Sequence, residues 1–242
     1  VTWARALRNG GILLILVLAA CTMTPRMTAP SLPPTIRVVG SSDMAPLLPE
    51  IQARVAAHIP HADIRYVPTN STTGLQLLAE GAADIALVSD LPPDLSEEWV
   101  IIPMGEDDVV IVVYPDVHVD SLNPDDVRRI FEGRYLNWQE LGGNDFPIRL
   151  VSREKGSGTR ALFERVIMGT DPVALTAVVM PSAEDVVHYV QRHEGAIGYV
   201  GHLVVNDRVR ILAINDEATT QSLHRTLYIV TSSRFAFLQG SP

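Results

Sequence analysis

Three times along this 242-residue chain, a short apolar run breaks into glycine and hydroxyl residues and then into helically spaced apolar residues. The run at 36–40 breaks at Gly40-Ser41-Ser42-Asp43. A helix over 45–58 follows, with Leu47, Leu48, Ile51, Val55 and Ile59 at helical spacing. The run at 63–67 leads into Asn70-Ser71-Thr72-Thr73-Gly74 and a helix to 80, and the run at 149–152 into Gly156-Ser157-Gly158-Thr159 and a helix to 166. Further strands are predicted at 85–88, 109–114, 196–200, 208–214 and 227–231, and further helices at 124–133 and 183–192. Strands alternating with helices define an α/β chain. In open α/β sheets ligands bind beyond the carboxyl ends of strands, at helix N-termini, so three loops of one pattern suggest one shared small-molecule site.

Composition narrows the function classes. Lys+Arg is 19 against 28 Asp+Glu, a net charge of −9, which argues against a nucleic-acid partner held by phosphate attraction. A hydrophobic share of 47% with 19% charged residues is ample for a core. A single cysteine forms neither an intramolecular disulfide nor a Cys-based zinc site.

That cysteine has a specific place. Arg5 and Arg8 precede an apolar run at 12–20 that is too short to span a bilayer, so 1–20 reads as a signal peptide. The run ends Leu18-Ala19-Ala20-Cys21, which resembles a bacterial lipoprotein box with Cys21 as the lipidated residue; the alternative is an ordinary signal followed by a chance cysteine. Residues 21–35, with Pro25, Pro30, Pro33 and Pro34, read as an extended tether. The folded part is therefore expected outside the cytoplasm, anchored to the membrane by lipid.

The strongest chemical signal is Arg153-Glu154-Lys155-Gly156-Ser157-Gly158-Thr159-Arg160. Glycines permit close backbone approach, hydroxyls donate, and a guanidinium grips an oxyanion with two parallel bonds. A well-capped helix behind a glycine turn explains the same residues, and the order is not that of a Walker A loop. His58, His61, His188 and His193 read as surface residues, Glu106-Asp107-Asp108 as a solvated crossing, and Trp138 as packing. Ser157 lacks the surroundings of a nucleophile.

The order of motifs adds a resemblance. Gly40-Ser-Ser-Asp-Met-Ala-Pro46, Asn70-Ser-Thr-Thr-Gly74, 83–90 (ADIALVSD), Ile130-Phe-Glu-Gly133 with Asn137-Trp138, the 153–159 run, and Gly195-Ala-Ile-Gly198-Tyr199 resemble, in sequence order over about 36–232, the PstS-like phosphate-binding lipoproteins of phosphate ABC importers. The resemblance implies a two-lobed type II periplasmic-binding-protein fold with the ligand cleft between lobes. Lobe 1 would be 36–109 plus 208–242 and lobe 2 110–207, hinged near 109–114 and 201–210. It implies that Arg153, Ser157, Gly158 and Thr159 grip inorganic phosphate, with Ser42, Asp43 and Met44 on the first loop and a hydroxyl from Thr72. Asp90 would accept a hydrogen bond from the proton that distinguishes hydrogen phosphate from sulfate. The implied partner is an ABC permease, the implied state a monomer, and no cofactor, metal or catalysis is needed.

Two positions depart from the family pattern. Asp43 stands where the family usually has Thr, and Lys155 where it often has Asp. A second carboxylate facing a dianion would make binding strengthen as pH falls, and Lys155 could offset its charge. The family also continues beyond the strand at 227–231 into a further helix, for which few residues remain. These departures keep open a degenerate or sensory relative with another ligand; an extracellular phosphoester-hydrolysing enzyme is a further alternative.

Overall fold

The computed structural model describes residues 33–95 and 97–239; the expected signal peptide, Cys21 and most of the tether lie outside the described residues. Ten strands form one sheet in the order β2-β1-β3-β10-β4-β8-β6-β7, with β9 on β4 and β5. The strands are β1 (Thr35–Ser41), β2 (Asp63–Thr69), β3 (Ile85–Val88), β4 (Val100–Val113), β5 (Ser121–Leu122), β6 (Arg149–Arg153), β7 (Val178–Met180), β8 (Ala196–Gly201), β9 (Arg210–Ile214) and β10 (His224–Thr231). The helices are α1 (Leu48–His58), α2 (Ser71–Ala79), α3 (Pro124–Phe131), α4 (Gly158–Phe163), α5 (Ala183–Val190) and α6 (Glu217–Ser222).

The sheet serves two apolar cores. In the first half β1 runs parallel to β2 and β3, and Ile36, Val38, Ile51, Val55, Ile85 and Leu87 pack with Leu227 and Ile229 of β10. Phe235 and Leu238, on the turn after β10, close this core. In the second half β6 runs parallel to β7 and β8. There Phe163 stacks on Tyr199 at 3.9 Å, with the Phe131 ring tilted against both. Trp138 is fully buried and donates from Nε1 to the Gly195 carbonyl at 2.9 Å, a packing role as its sequence context suggested.

One strand joins the halves. β4 is 14 residues long; its first part pairs antiparallel with β10, and 109–113 pairs with β8 and β9. The sequence reading began this strand at 109, whereas it starts at Val100 and includes Pro103 and Gly105. The structure absorbs them in a register shift opposite Leu227 and Tyr228, where a proline without an N–H is tolerated. Glu106-Asp107-Asp108 is therefore paired strand where the chain crosses between the halves; Glu106 and Asp108 are exposed as expected, whereas Asp107 is buried and not solvated. β9 pairs with Ile111–Val113 of β4 and with β5, so it packs in the second half and not with the first, where the 208–242 assignment put it. Its short apolar run carries no mark of its neighbour, which long-range pairing alone selects.

This topology sends the carboxyl ends of β1, β3, β6 and β8 to one place. The loops after them, with the start of α2, hold the residues described next.

Candidate functional site

β1 ends at Ser41, and the chain turns through a short 3-10 helix, Ser42–Leu47. The turn aims the Asp43 carboxylate inward, where it has no solvent exposure. Four donors meet it: Arg153 Nη1 at 3.0 Å, Thr159 Oγ1 at 2.7 Å and Ser41 Oγ at 3.2 Å on one oxygen, and the Gly201 N–H at 2.9 Å on the other. Arg225 Nη2 lies 3.6 Å from that second oxygen. Asp43 belongs to the first half, whereas Arg153, Thr159 and Gly201 belong to the second.

Each donor is held in turn. Arg153, also fully buried, donates through Nη2 to Ser42 Oγ at 3.2 Å and through Nε to Glu154 at 3.0 Å. Ser42 Oγ also accepts the Ala183 N–H at 2.9 Å, the first amide of α5. Arg225 donates to Thr159 Oγ1 at 2.8 Å and to Asp107 Oδ2 at 2.7 Å, so Thr159 relays one guanidinium to the Asp43 carboxylate. Behind Ser41, the hydroxyls of Ser89 and Ser71 continue the network.

Burial by itself would raise the Asp43 carboxyl. The charges of Arg225 and Arg153, with the Thr159 and Gly201 hydrogen bonds, outweigh it and hold the group far below the ordinary carboxylate range. Burial likewise opposes the charge on Arg153, and Asp43 and Glu154 more than restore it. Asp43 and Arg153 thus form a buried ion pair.

Gly201 is required by space. A Cβ there would lie 2.7 Å from Arg225 Nη2 and 3.0 Å from Asp43 Oδ1, and would meet Asp107 as well. Gly158 has the same role between the halves, since its Cβ would fall 2.6 Å from Ser89 Oγ and 2.9 Å from the Asp90 nitrogen. With the Thr72 N–H donating to the Gly156 carbonyl at 3.3 Å, these contacts close the cleft.

Beside the cluster, toward solvent, lies a cavity of about 1090 Å³. Thr72, Asp90, Lys155, Ser157 and Gly158 line it, with Trp99 and Leu75 on its apolar wall. The sequence-predicted residues therefore divide. Ser42, Asp43, Arg153 and Thr159 meet in the buried cluster. Thr72, Asp90, Ser157 and Gly158 face the cavity, and Ser157 Oγ caps α4 by accepting the Arg160 N–H at 3.3 Å. The Met44 side chain joins neither group and is buried in the first apolar core, because the residue after an inward-turned Asp43 faces the opposite side of the loop. The Asp90 carboxylate is turned to Arg165, with Nη2 at 3.1 Å. Lys155 is exposed and has no ion pair among the described residues, so Arg153 and Arg225, not Lys155, offset Asp43.

Arg225 and Asp107 escaped the sequence reading. Their signal was strand alternation: Arg225 shares the inward phase of Leu227 and Ile229, and Asp107 that of Val109 and Ile111. A charge at a core-facing position calls for a partner, and the sheet places these two opposite each other.

Comparison with known proteins agrees with this fold. The profile of the PBP superfamily domain matches residues 27–227. A Bacillus subtilis relative named phosphate-binding protein PstS is 32% identical over 188 residues, covering 75% of this chain; the chain spans 62% of that relative's length. An ABC-type phosphate transport receptor from Vibrio cholerae superposes with a TM-score of 0.64 at 26% identity, over 85% of this chain and 94% of the receptor. A Clostridium perfringens chain solved with bound phosphate shares the fold, with a TM-score of 0.73 at 23% identity over 84% of this chain and 91% of its own. The chain belongs to the PBP superfamily, has its two-lobed type II periplasmic-binding-protein fold, and is similar within it to proteins named PstS.

Proposed function

We propose that this protein is an extracytoplasmic solute-binding protein that takes inorganic phosphate between its two lobes and delivers it to an ABC permease. One observation carries the reading. Arg153, Thr159 and the Gly201 N–H, with Arg225 behind them, converge on the carboxylate of Asp43 at hydrogen-bonding distances, and this is an arrangement that stabilises an oxyanion. Each charge-assisted bond is worth about 1.5–3 kcal/mol. No nucleophile with an activating base accompanies them, so the site binds without turning its ligand over. The names of the Bacillus subtilis and Vibrio cholerae relatives support phosphate as the ligand.

In this reading one lobe comprises 33–108 with 224–239 and the other 109–223, and β4 and the segment before β10 are the two hinge crossings. Cys21 carries the lipid, and the protein works as a monomer at the outer face of the membrane. Calorimetric titration with phosphate, sulfate, arsenate and molybdate tests the ligand. Saturable heat is expected with phosphate and arsenate and none with sulfate, whereas equal response to sulfate would remove the phosphate reading.

A further inference from the structure

The buried cluster contains two cations, Arg153 and Arg225, and three carboxylates within reach of them, Asp43, Asp107 and Glu154. Neither guanidinium is free. Arg153 is divided between Asp43 and Glu154, and Arg225 between Asp107 and the Thr159–Asp43 pair. Thr159 Oγ1 and the Gly201 N–H, the remaining donors to the seat, are likewise spent on Asp43. A dianion added beside these groups would enter a buried region that already carries more acid than base, where the Nε of Arg225 is the one guanidinium nitrogen of the two arginines without a partner.

We infer that Asp43 is a tethered anion that occupies the seat itself, latching the cleft shut without ligand, so that an external oxyanion enters only by displacing its carboxylate. The inference rests on the oxyanion-seat reading above and deepens it, because it makes Asp43 the residue that sets the threshold for binding. Asp43 reaches from the first half to donors of the second. It thereby supplies from within the chain the bridge that a bound anion would otherwise supply between lobes. A ligand that must wait for a minority open form binds more weakly by the fraction of that form. If the displaced form is about 1% of the population, removing the carboxylate strengthens binding about 100-fold.

The experiment compares wild type with Asp43→Thr, which removes the charge and keeps a hydroxyl, and Asp43→Asn, which removes the charge and keeps the shape. Phosphate affinity is measured by calorimetry, and the radius of gyration by small-angle X-ray scattering with and without phosphate; circular dichroism establishes which variants fold. Wild type is expected to be compact without phosphate and to change little on its addition. The variants should be more expanded when free, contract with phosphate, and bind it about 100-fold more tightly. Wild type that contracts on binding phosphate and binds it as tightly as the variants would overturn the latch and leave the proposed function standing. Variants that expand yet bind no phosphate would support the latch and overturn phosphate as the ligand. Variants that neither expand nor gain affinity would overturn the latch. Should Asp43→Thr not fold, Asp43→Asn and the wild-type scattering decide the same question.

Discussion

Arg153 and Lys155 stand two residues apart on one loop and have opposite fates. Arg153 closes β6, has no solvent exposure and holds Asp43, Ser42 and Glu154. Lys155, the only lysine in the chain, projects at the cavity without an ion pair among the described residues. The same contrast runs through the other loops: Asp43 and Ser89 are buried and bonded, while Thr72 and Asp90 face the cavity. The direction a loop residue faces, and not its distance from the strand end, decides whether it joins the network that shuts the cleft or the open surface beside it, since Thr159 lies farther past β6 than Lys155 and is buried in the network. The buried network consequently governs stability and closure, and the cavity rim governs access.

Substitutions at these two positions should diverge sharply. Arg153→Ala leaves the Asp43 carboxylate buried beside a lost partner, and breaking such a pair costs about 3–5 kcal/mol; urea unfolding should show the midpoint falling accordingly, and an unchanged midpoint would contradict the network's role. Gly201→Ala pushes a methyl group against Arg225 and Asp43, for which overpacking predicts a loss of about 1–3 kcal/mol in the same measurement.

Acid unfolding sharpens the comparison further. The Asp43 carboxyl is depressed in the folded state, so its contribution is fully present above the unfolded value of about 3.9 and is lost as pH falls toward the folded one. Melting temperature should therefore drop more steeply below about pH 4 in wild type than in Asp43→Asn; parallel curves would show that the carboxylate is not held by the arginines. The same depression keeps Asp43 ionised throughout the neutral range in the protein without ligand. The smallest effect belongs to Lys155→Ala, which should change stability by no more than about 0.5 kcal/mol. A larger fall in its melting temperature would mean that the cavity rim also supports the fold.

The loops that build the site were readable because their chemistry is local. Hydroxyl and glycine residues between a strand and a helix identify themselves within a few positions, and Arg153, Thr159, Ser42 and Asp43 were found that way. Arg225 and Asp107 were not, since Asp107 stands in an acidic run that reads as solvated and the partner of each is 118 positions away. The start of β4 also depends on a distant partner, since the register shift against β10 is what accommodates Pro103 and Gly105 within the strand. The roles implied for Thr72 and Asp90 depend on which way each loop leans once the halves meet, and here Asp90 leans to Arg165.

By itself the sequence determined the α/β alternation, the order of the three hydroxyl-rich loops and the presence of one cation fit for an oxyanion. Periodicity and turn chemistry are properties of neighbours, so they survive in one dimension. Only the tertiary structure decided that the anion meeting that cation is the chain's own Asp43, with Arg225 and Asp107 completing the charge. Such pairing depends on strand register and on the approach of two halves, and buried charges reveal their partners only when both are in place.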